Sequence, residues 1–589
     1  MAKGLDPTQM ADWQIAAAAE ERMLPVAELG RRLGIEAGEL IPFGRSLGRV
    51  DHRLVLQRVG SRRRARYVVV TAITPTPLGE GKTTTTIGLI QGLGALGEQV
   101  TGAIRQPSGG PTFNIKGSAA GGGLAQCLPL AQFSLGLTGD IDRITNAHNL
   151  AMVALTARMQ HEANYDDFRL ESLGLRRLDI DPDRVEMSWV MDLCAQALRQ
   201  IEIGRGGRFD GYPMESGFQI AVASELMAIL AVATDLADLR DRIGRMVVAY
   251  ARNGAPVTTA DLEVDGAMAA WMVDTLDPTL LQTLEGQPVF VHAGPFANIA
   301  IGQSSIMADR IGTSLADYHV TESGFGADIG YEKFWNLKCR LSGLQPDAVV
   351  MVATVRAVKV HGGGPPVKPG VPLDPVYSEE NPELVERGFA NLAAHLDTVL
   401  RSGMRPVVCI NSFVTDTPAE TALLRRLAEE HGATVAVADH WRRGGAGALE
   451  LAEAVRSACA EPGSFRFLYR ENAPLRERIA AIATAVYGAD GVEYTGNAAS
   501  RMAAIEADPE LSGLGVCMAK THLSLSHDPG IKGRPTGWTL PIRDVRVYRG
   551  AGLVVPVAGS VKLMPGTASD PAFRRIDIDV DTGRVRGLS

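Results

Sequence analysis

The chain has 589 residues, of which 46 % are hydrophobic and 21 % charged, so we expect several ordinary globular domains. Its net charge of −8 and its pI of about 5.9 argue against a nucleic-acid-binding protein, which usually carries a basic domain. We find no run of 18 apolar residues, no apolar signal-peptide core and no CxxC pair. The sequence therefore predicts a cytoplasmic protein without a membrane span, a zinc ribbon or a disulfide framework.

The first part of the chain predicts a strand and a helix joined by a glycine-containing loop. Residues 9–36 have helical spacing, and the β-branched run "RYVVVTAIT" (66–74) predicts a buried strand. A helix is predicted again over 84–97, where Leu89, Leu93 and Leu96 share one face. Residues 105–124 form a second glycine-rich loop.

Helices and strands alternate through the centre and the second half. We predict helices at 219–252, 260–286, 383–402, 417–431 and 447–460, and strands at 288–295, 348–355, 405–413 and 433–439. This alternation indicates parallel α/β architecture. The stretch "HGGGPPVKPGVPLDP" (361–375) is predicted to be a linker, and the tail after 540 to consist of strands and turns.

The loop between the first predicted strand and its helix resembles a phosphate-binding loop. "TPTPLGEGKTTTTIGL" (74–89) contains Gly81-Lys82-Thr83, but Thr76 stands where the pattern G-x-x-x-x-G-K-[ST] has its first glycine. In such a loop, backbone N–H groups surround phosphate oxygens, a lysine neutralises the terminal phosphates, and a threonine hydroxyl binds Mg²⁺. A chance GKT in a threonine-rich turn is the alternative, which the flanking strand and helix disfavour.

Long runs in the sequence resemble one enzyme family, formate–tetrahydrofolate ligase. The loop T-P-x-G-E-G-K-[ST]-T-T is typical of that family, and its Thr76-Pro77 entrance is the family's own. Further runs match in order along nearly the whole chain, among them "PSGGPTFNIKGSAAGGG", "TGD", "QTLEGQPVFVHAGPFANIA", "GFGADIGYEKFWNLKCR", "INSFVTDT" and "VCMAKTHLSLSHDP". The resemblance implies that ATP and formate give formyl phosphate, whose formyl group is then transferred to N10 of tetrahydrofolate.

The resemblance also implies which residues handle the phosphates. ATP would be bound by the residues of the first loop: Thr76, Pro77, Leu78, Gly79, Glu80, Gly81, Lys82 and Thr83. Lys82, Arg105 and Asp140 are the implied catalytic residues, with Arg105 holding formyl phosphate and with Thr83 and Asp140 near Mg²⁺. A structural role for Arg105, and a helix N-cap role for Asp140, remain open. Lys116 and Gly121–Gly123 either bind anions or form a structural loop.

The folate ring requires aromatic faces, and two positions match those of the family. Phe413 in "INSF" and Trp441 in "DHWRRGG" are implied to sandwich the pterin, with core packing as the alternative. Phe413 also lies at the carboxyl end of a predicted strand, and ligands of α/β proteins bind at the carboxyl ends of strands. Phe334 and Trp335 are predicted to lie in the core.

Four departures from the family pattern lie near the implied formyl phosphate site. Gln106 replaces a glutamate, Ser118 a glycine and Ile301 a histidine, and the segment 130–137 reads "LAQFSLGL" instead of an acidic stretch. We hypothesise that these changes alter the choice of acid or lower turnover while leaving folate binding normal.

The predicted architecture is α/β, with a parallel-sheet domain similar to P-loop NTPases and additional α/β domains. The predicted nucleotide domain comprises 1–150 and 288–360, an inserted, largely helical domain comprises 151–287, and a C-terminal α/β domain over 375–589 contributes the folate site. ATP, Mg²⁺ and tetrahydrofolate are expected ligands, with K⁺ or NH₄⁺ as activator and a homotetramer as assembly. A ligase for another acid or pterin, or a regulatory ATPase, remains the alternative.

Overall fold

Strands and helices alternate along most of the computed structural model, which describes residues 4–60, 63–113, 119–296, 298–367, 371–461, 463–559 and 562–588. In chain order the strands are β1 Leu40–Phe43, β2 Leu47–Val50, β3 Arg66–Ala72, β4 Val100–Ile104, β5 Gly121–Gly122, β6 Ala125–Leu128, β7 Ile180–Val185, β8 Trp189–Met191, β9 Ile201–Ile203, β10 Met214–Ser216, β11 Phe218–Ile220, β12 Val247–Ala251, β13 Pro256–Thr258, β14 Thr279–Thr283, β15 Pro288–Val291, β16 Tyr318–Glu322, β17 Ala348–Ala353, β18 Pro406–Asn411, β19 Thr434–Ala438, β20 Gly491–Tyr494, β21 Gly515–Val516, β22 Thr539–Ile542, β23 Asp544–Tyr548, β24 Leu553–Val557, β25 Asp577–Ile578 and β26 Val585–Arg586.

The α-helices are α1 Asp12–Glu20, α2 Val26–Leu33, α3 His52–Val59, α4 Lys82–Ala95, α5 Gly110–Phe113, α6 Leu130–Ser134, α7 Asp140–Asn164, α8 Asp167–Ser172, α9 Glu225–Val232, α10 Leu236–Gly244, α11 Asp265–Met272, α12 Ile306–Leu315, α13 Cys339–Ser342, α14 Val355–His361, α15 Pro382–Arg401, α16 Pro418–Glu430, α17 His440–Arg443, α18 Leu449–Ala460, α19 Leu475–Ala485, α20 Ala498–Ala507 and α21 Pro509–Ser512. Two π-helical segments, Ala327–Tyr331 and Phe334–Lys338, lie between β16 and α13. None of the helices that the structure describes is both long enough and apolar enough to cross a membrane.

One large sheet of twelve strands organises the fold. Its main path runs β1-β2-β14-β15-β4-β16-β3-β17-β18-β19, and β5 and β6 attach beside β14. The seven strands from β15 to β19 along this path are parallel to one another. Their carboxyl ends consequently meet at one edge of the sheet, which we call the carboxyl edge.

The parallel strands are apolar on both faces, because helices cover both faces of the sheet. In β3, Tyr67 and Val69 point into one core, whereas Val68 and Val70 point into another. This period of two, with all four side chains buried, explains why the strand reads as a continuous apolar run.

Smaller sheets lie outside the large one. They include the three-stranded sheets β13-β12-β7 and β21-β24-β23 and the pair β20-β22. Strands of the large sheet come from all three of the predicted domain segments: β3 from the first, β14 from the second, and β18 and β19 from the third. The domain boundaries therefore stay a prediction. The carboxyl edge is formed by strands from more than one of the predicted domains.

Most of the predicted parallel strands and the helices between them are confirmed. The strands predicted at 66–74, 348–355, 405–413 and 433–439 and the helices predicted at 383–402, 417–431 and 447–460 all appear within two residues of their predicted ends. The strand predicted at 288–295 ends earlier, at Val291.

Three predicted helices are wrong in part. The helix predicted over 9–36 is interrupted between α1 and α2, where Pro25 precedes the second helix. The one predicted over 219–252 contains α9 and α10 but ends in β12, whose sequence "VVAYA" is rich in strand-forming residues. The one predicted over 260–286 ends in β14, since sheet pairing overrides the helical spacing there.

Candidate functional site

Most of the sequence-predicted site residues converge on the carboxyl edge. Arg105 directly follows β4, and the loop ending in Lys82 follows β3. Phe413 and Trp441 lie two and three residues beyond β18 and β19. Ligands of open α/β sheets bind at this edge, so the topology brings the predicted phosphate and folate residues to one side of the molecule.

The loop after β3 is closed by its own side chains. The Thr76 carbonyl accepts a hydrogen bond from the Gly79 N–H at 3.1 Å, and the buried Glu80 carboxylate accepts one from the Thr76 N–H at 2.6 Å. The Thr76 hydroxyl also accepts from the Leu78 N–H at 3.3 Å. Thr76 thus holds the entrance of the loop through its backbone and its hydroxyl, where the usual pattern has glycine.

The second half of the loop depends on left-handed backbone. Gly79 and Gly81 have φ of 73° and 71°, a region that residues with a β-carbon disfavour. A β-carbon at Gly81 would also overlap the Asn411 amide, whose Nδ2 donates to the Glu80 carbonyl at 3.1 Å. Helix α4 begins at Lys82, so its free N–H groups face the end of the loop, an arrangement that favours anions.

The start of the loop is tied to α15 and α14. Asn391 Nδ2 donates to the Thr74 hydroxyl at 3.0 Å, and His395 Nε2 lies 2.9 Å from the same hydroxyl. His361 Nε2 lies 2.9 Å from the Thr74 carbonyl oxygen. Burial lowers the pKa of both His361 and His395 to about 4, so both rings are neutral near pH 7.

Arg105 lies flat against a glycine. A β-carbon added at Gly324 would be 2.8 Å from both terminal guanidinium nitrogens of Arg105 and 2.9 Å from its Cζ. Burial lowers the pKa of Arg105, and the charge of Glu322 at the end of β16 partly offsets that effect. The guanidinium is therefore a confined cation between β4 and β16, with a geometry that suits two oxygens of one anion.

Two of the four departures from the family pattern are buried: Gln106, which follows this arginine in the chain, and Ile301, which lies in the core. Gln106 is 4 % exposed, and neither atom of its side-chain amide has a hydrogen-bond partner among the described residues. Its backbone N–H donates to the Ala293 carbonyl at 2.8 Å. Ile301 is fully buried in an apolar cluster. Lys116 and Ser118 lie outside the described residues.

Asp140 is buried with an arginine that sequence analysis missed. It is the first residue of α7 and follows Gly139, which is the N-cap residue, so Asp140 is not the N-cap. Its Oδ1 accepts from Arg49 Nη2 at 2.5 Å, and both side chains are at most 1 % exposed. Burial raises the pKa of Asp140, an effect that Arg49 reduces. No hydrogen bond or ion pair joins Asp140 to Lys82 or Thr83 in the part of the chain that the structure describes.

The two predicted folate residues are held by different neighbours. Phe413 packs under Arg356, whose Cζ lies 4.4 Å from the ring centroid, and it lines a cavity of about 300 Å³ between the ends of β18 and β19. Trp441 lies against the second glycine-rich loop, where a β-carbon at Gly123 would be 2.8 Å from the indole Nε1. Gly123 is therefore required for this packing.

Several neighbours of the site gave no local signal in the sequence. Asn391, His395 and Asn411 lie more than 300 residues from the loop that they hold, and only the fold brings them there. Glu322 could have been found, because it ends a strand next to β3 and β4. Phe334 and Trp335 are fully buried, which confirms that they are core residues.

A parallel α/β sheet with a lysine-containing loop, a confined arginine and two aromatic rings at one edge defines a candidate nucleotide and small-molecule site. A family model described as formate–tetrahydrofolate ligase matches residues 10–589, and the chain belongs to this family. A formate–tetrahydrofolate ligase of Dehalococcoides mccartyi (strain CBDB1) is 64 % identical over 586 residues, covering 100 % of this chain and 98 % of the relative. One from Desulforapulum autotrophicum is 62 % identical over 588 residues, covering 99 % and 100 %.

Proposed function

We propose that this protein joins formate to N10 of tetrahydrofolate, with the cleavage of ATP to ADP and phosphate through phosphoryl transfer to formate. The observation that carries the proposal is the 64 % identity, over the full length of this chain, to a protein named formate–tetrahydrofolate ligase. The carboxyl edge supports it, since cationic and aromatic groups for the three substrates lie on that one side of the sheet.

The chemistry has two steps, and each places a demand on the site. A formate oxygen attacks the γ-phosphorus of ATP, the bond to ADP breaks, and formyl phosphate forms. The N10 nitrogen then attacks the formyl carbon, phosphate leaves, and the N10 proton is transferred to phosphate. Anions crowd together in the first step, so catalysis depends on fixed cations and backbone donors.

We assign these roles to residues of the carboxyl edge. The loop with Gly79 and Gly81 would bind the phosphates of ATP as a P-loop does, and Lys82 would neutralise the γ-phosphate. Arg105, held flat on Gly324, would bind formyl phosphate through two oxygens. Phe413 and Trp441 would contact the pterin ring from the ends of β18 and β19.

Mg²⁺ fits the start of α4. Thr83 is half-buried, and its hydroxyl has no hydrogen-bond partner among the residues described, so the oxygen is available as a ligand. The ion would neutralise phosphate charge there. Asp140 as a ligand stays a prediction, and its contact with Arg49 favours a positioning role. Activation by K⁺ or NH₄⁺ and assembly as a homotetramer are further proposals that rest on the family resemblance alone.

Mass spectrometry of a reaction containing ATP, formate and tetrahydrofolate tests the proposal. We expect formylated tetrahydrofolate only when all three substrates are present, with one ADP for each product molecule. ADP release that is independent of formate and tetrahydrofolate, without a formylated product, would contradict the proposed activity.

A further inference from the structure

The backbone between Arg105 and the phosphate loop belongs to three residues at the end of β16. A β-carbon on Gly324 would meet the Arg105 guanidinium at 2.8 Å, and one on Gly326 would lie 3.1 Å from the carbonyl oxygen of Ile73, where the phosphate loop starts. Phe325 stands between these two glycines. Its position is therefore fixed between the two groups that would hold formyl phosphate and ATP.

Phe325 has a backbone conformation that is rare for its residue type. Its φ is 59°, in the left-handed region, where a β-carbon costs roughly 1–2 kcal/mol. Strain of this kind persists where the surrounding structure imposes it, and it is frequent at active sites. Gly324, the residue before Phe325, is anchored by its own N–H, which donates to the Gly302 carbonyl at 2.7 Å.

The Phe325 ring is half-buried and contacts a second ring. The centroid of the His522 imidazole lies 4.6 Å away, with 31° between the ring planes. Neither nitrogen of His522 has a hydrogen-bond partner in the described part of the chain. Burial lowers the pKa of His522, the charges of Lys520, Lys82 and Lys532 act in the same direction, and that of Asp328 opposes them, which leaves the pKa at about 4. The imidazole is therefore neutral near pH 7.

The loop that carries His522 is fixed at its first end by a buried lysine. Lys520 Nζ donates to Asp328 Oδ2 at 2.7 Å and to the Ser524 carbonyl at 2.6 Å, and both charged side chains are at most 1 % exposed. Asp328 lies three residues after Phe325, and Lys520 lies two residues before His522. The ion pair therefore holds together the two segments that carry the rings.

The same loop is tied at its other end to the phosphate loop. Asn391 Nδ2 donates to the Gly533 carbonyl at 2.9 Å and also to the Thr74 hydroxyl at 3.0 Å. Lys532 Nζ donates to the Leu523 carbonyl at 2.7 Å, which closes the loop on itself. His522 consequently has a fixed position relative to the residues that would bind phosphate.

We propose that Phe325 and His522, which we call the ring pair, shield the acyl phosphate from water between its formation and the attack of the folate nitrogen. The proposal rests on the proposed function. Formyl phosphate reacts with water to give formate, inorganic phosphate and a proton: the water oxygen bonds to the formyl carbon, and the bond from that carbon to the phosphate oxygen breaks. Water must be excluded during the transfer, and a phenyl face beside an uncharged imidazole face covers the site without competing for the phosphate charge. The ring pair is thus a positioning element of the reaction.

The ratio of ADP released to formyltetrahydrofolate formed tests the ring pair, because loss of shielding consumes ATP without product. We expect a ratio near one in the wild type and a ratio raised at least about threefold in Phe325→Gly, which relieves the strain but removes the ring, and in His522→Ala. His522→Phe, which keeps a ring face without nitrogens, should restore a ratio near one. In water labelled with ¹⁸O, the leaky variants should form labelled formate in an ATP-dependent way.

A second phenylalanine–histidine pair provides the matched control. The ring centroids of Phe389 and His431 lie 5.9 Å apart, and His431 Nε2 contacts Asp397 at 2.8 Å rather than a residue of the phosphate loop, so His431→Ala should leave the ratio at one. A ratio near one in folded Phe325→Gly and His522→Ala would overturn the shield. So would a His522→Phe variant that leaks as much as His522→Ala. Absence of formylated product from the wild type would instead contradict the proposed function, so the two failures are distinguishable.

Discussion

At the scale of single residues, the loop over 74–83, to which we assign phosphate binding and which we call the phosphate loop, depends on backbone conformations that only glycine adopts easily. Gly79 and Gly81 are both left-handed, and Gly81 also has the Asn411 amide against it. The first glycine of the usual pattern is dispensable because Thr76 supplies a hydroxyl and backbone groups to the turn. The loop therefore has two positions whose left-handed backbone favours glycine, one of which also lacks room for a β-carbon, and one position that uses its side chain.

Gly81→Ala should damage nucleotide binding more than it damages the fold. The left-handed φ costs roughly 1–2 kcal/mol, and the overlap with Asn411 adds to it inside the loop. We expect KM for ATP to rise at least about tenfold in steady-state assays. Gly34→Ala is the matched control: Gly34 has φ of 82° at the end of α2 but open space around it. Equal KM values for the two variants would show that the loop is not the nucleotide site.

Lys82→Ala should lower kcat about 100- to 1000-fold, the usual cost of removing one fixed group that stabilises transition-state charge. The helix should persist, because alanine is the best helix former and Lys82 makes no ion pair among the described residues. Steady-state rates and thermal unfolding of the same preparation separate the two effects. Full activity in a folded Lys82→Ala variant would exclude the assigned role.

The residues of the loop could be predicted from the sequence, but the distant residues that contact site residues could not. A local pattern predicts Lys82 and its flanking strand and helix, since those signals lie within 30 residues. It predicts neither Arg49 beside Asp140 nor His522 beside Phe325, because these contacts join distant segments. The burial of Asp140 with Arg49 also distinguishes this residue from the more accessible Thr83, a difference that residue type alone does not reveal.

At the scale of elements, α4 packs closely against the segment after β19 because Gly88 and Gly92 on that face have no side chain. A β-carbon on Gly88 would lie 2.5 Å from the His440 Cβ, and one on Gly92 would lie 2.9 Å from the Ala448 carbonyl oxygen. Both neighbours belong to the segment after β19 that carries Trp441. Close packing of α4 against this segment therefore connects the phosphate loop to a predicted folate residue.

Gly88→Ala should destabilise the protein although alanine is the better helix former. The added methyl meets the His440 ring within 3.0 Å, and overpacking of this kind costs about 1–3 kcal/mol. We expect a lower unfolding midpoint together with a raised KM for tetrahydrofolate. Gly30→Ala in α2 is the control, since its nearest neighbour would be at 3.5 Å and the helix propensity gain of about 1 kcal/mol is unopposed. A midpoint that rises in both variants would show that α4 has room for a side chain.

The parallel strands could be predicted from sequence, whereas the elements between them could not. Strands such as β3 and β17 are continuous β-branched runs because both of their faces are buried. Strands β12 and β14 lie within stretches that also have helical spacing, and each of them pairs with a strand that is distant in sequence, β12 with β7 and β14 with β2. Predictions from local pattern therefore fail where the stabilising contacts are long-range.

At the scale of the whole molecule, one buried carboxylate joins the middle of the chain to its C-terminal part. Glu225, the first residue of α9, accepts a hydrogen bond from the Ala551 N–H at 3.0 Å and is 8 % exposed. Burial raises its pKa from the usual 4.5 to about 7, and the hydrogen bonds to Gly550 and Ala551 offset only part of that effect. The folded protein thus binds this proton more tightly than the unfolded chain does.

Glu225→Gln should change how stability depends on pH. Because the pKa is raised in the folded state, the contribution of Glu225 is complete below pH 4.5 and is lost as the pH rises through 7. The full shift corresponds to roughly 3–4 kcal/mol. The glutamine oxygen still accepts from Ala551 and carries no charge, so we expect the variant to gain in unfolding midpoint relative to wild type as the pH rises from 5 to 8. Glu510→Gln, whose side chain is 85 % exposed, should follow the wild type throughout. Calorimetric unfolding midpoints measured from pH 5 to 8 test this prediction. A difference between Glu225→Gln and wild type that stays constant with pH would show that Glu225 has the same pKa in the folded and unfolded chain.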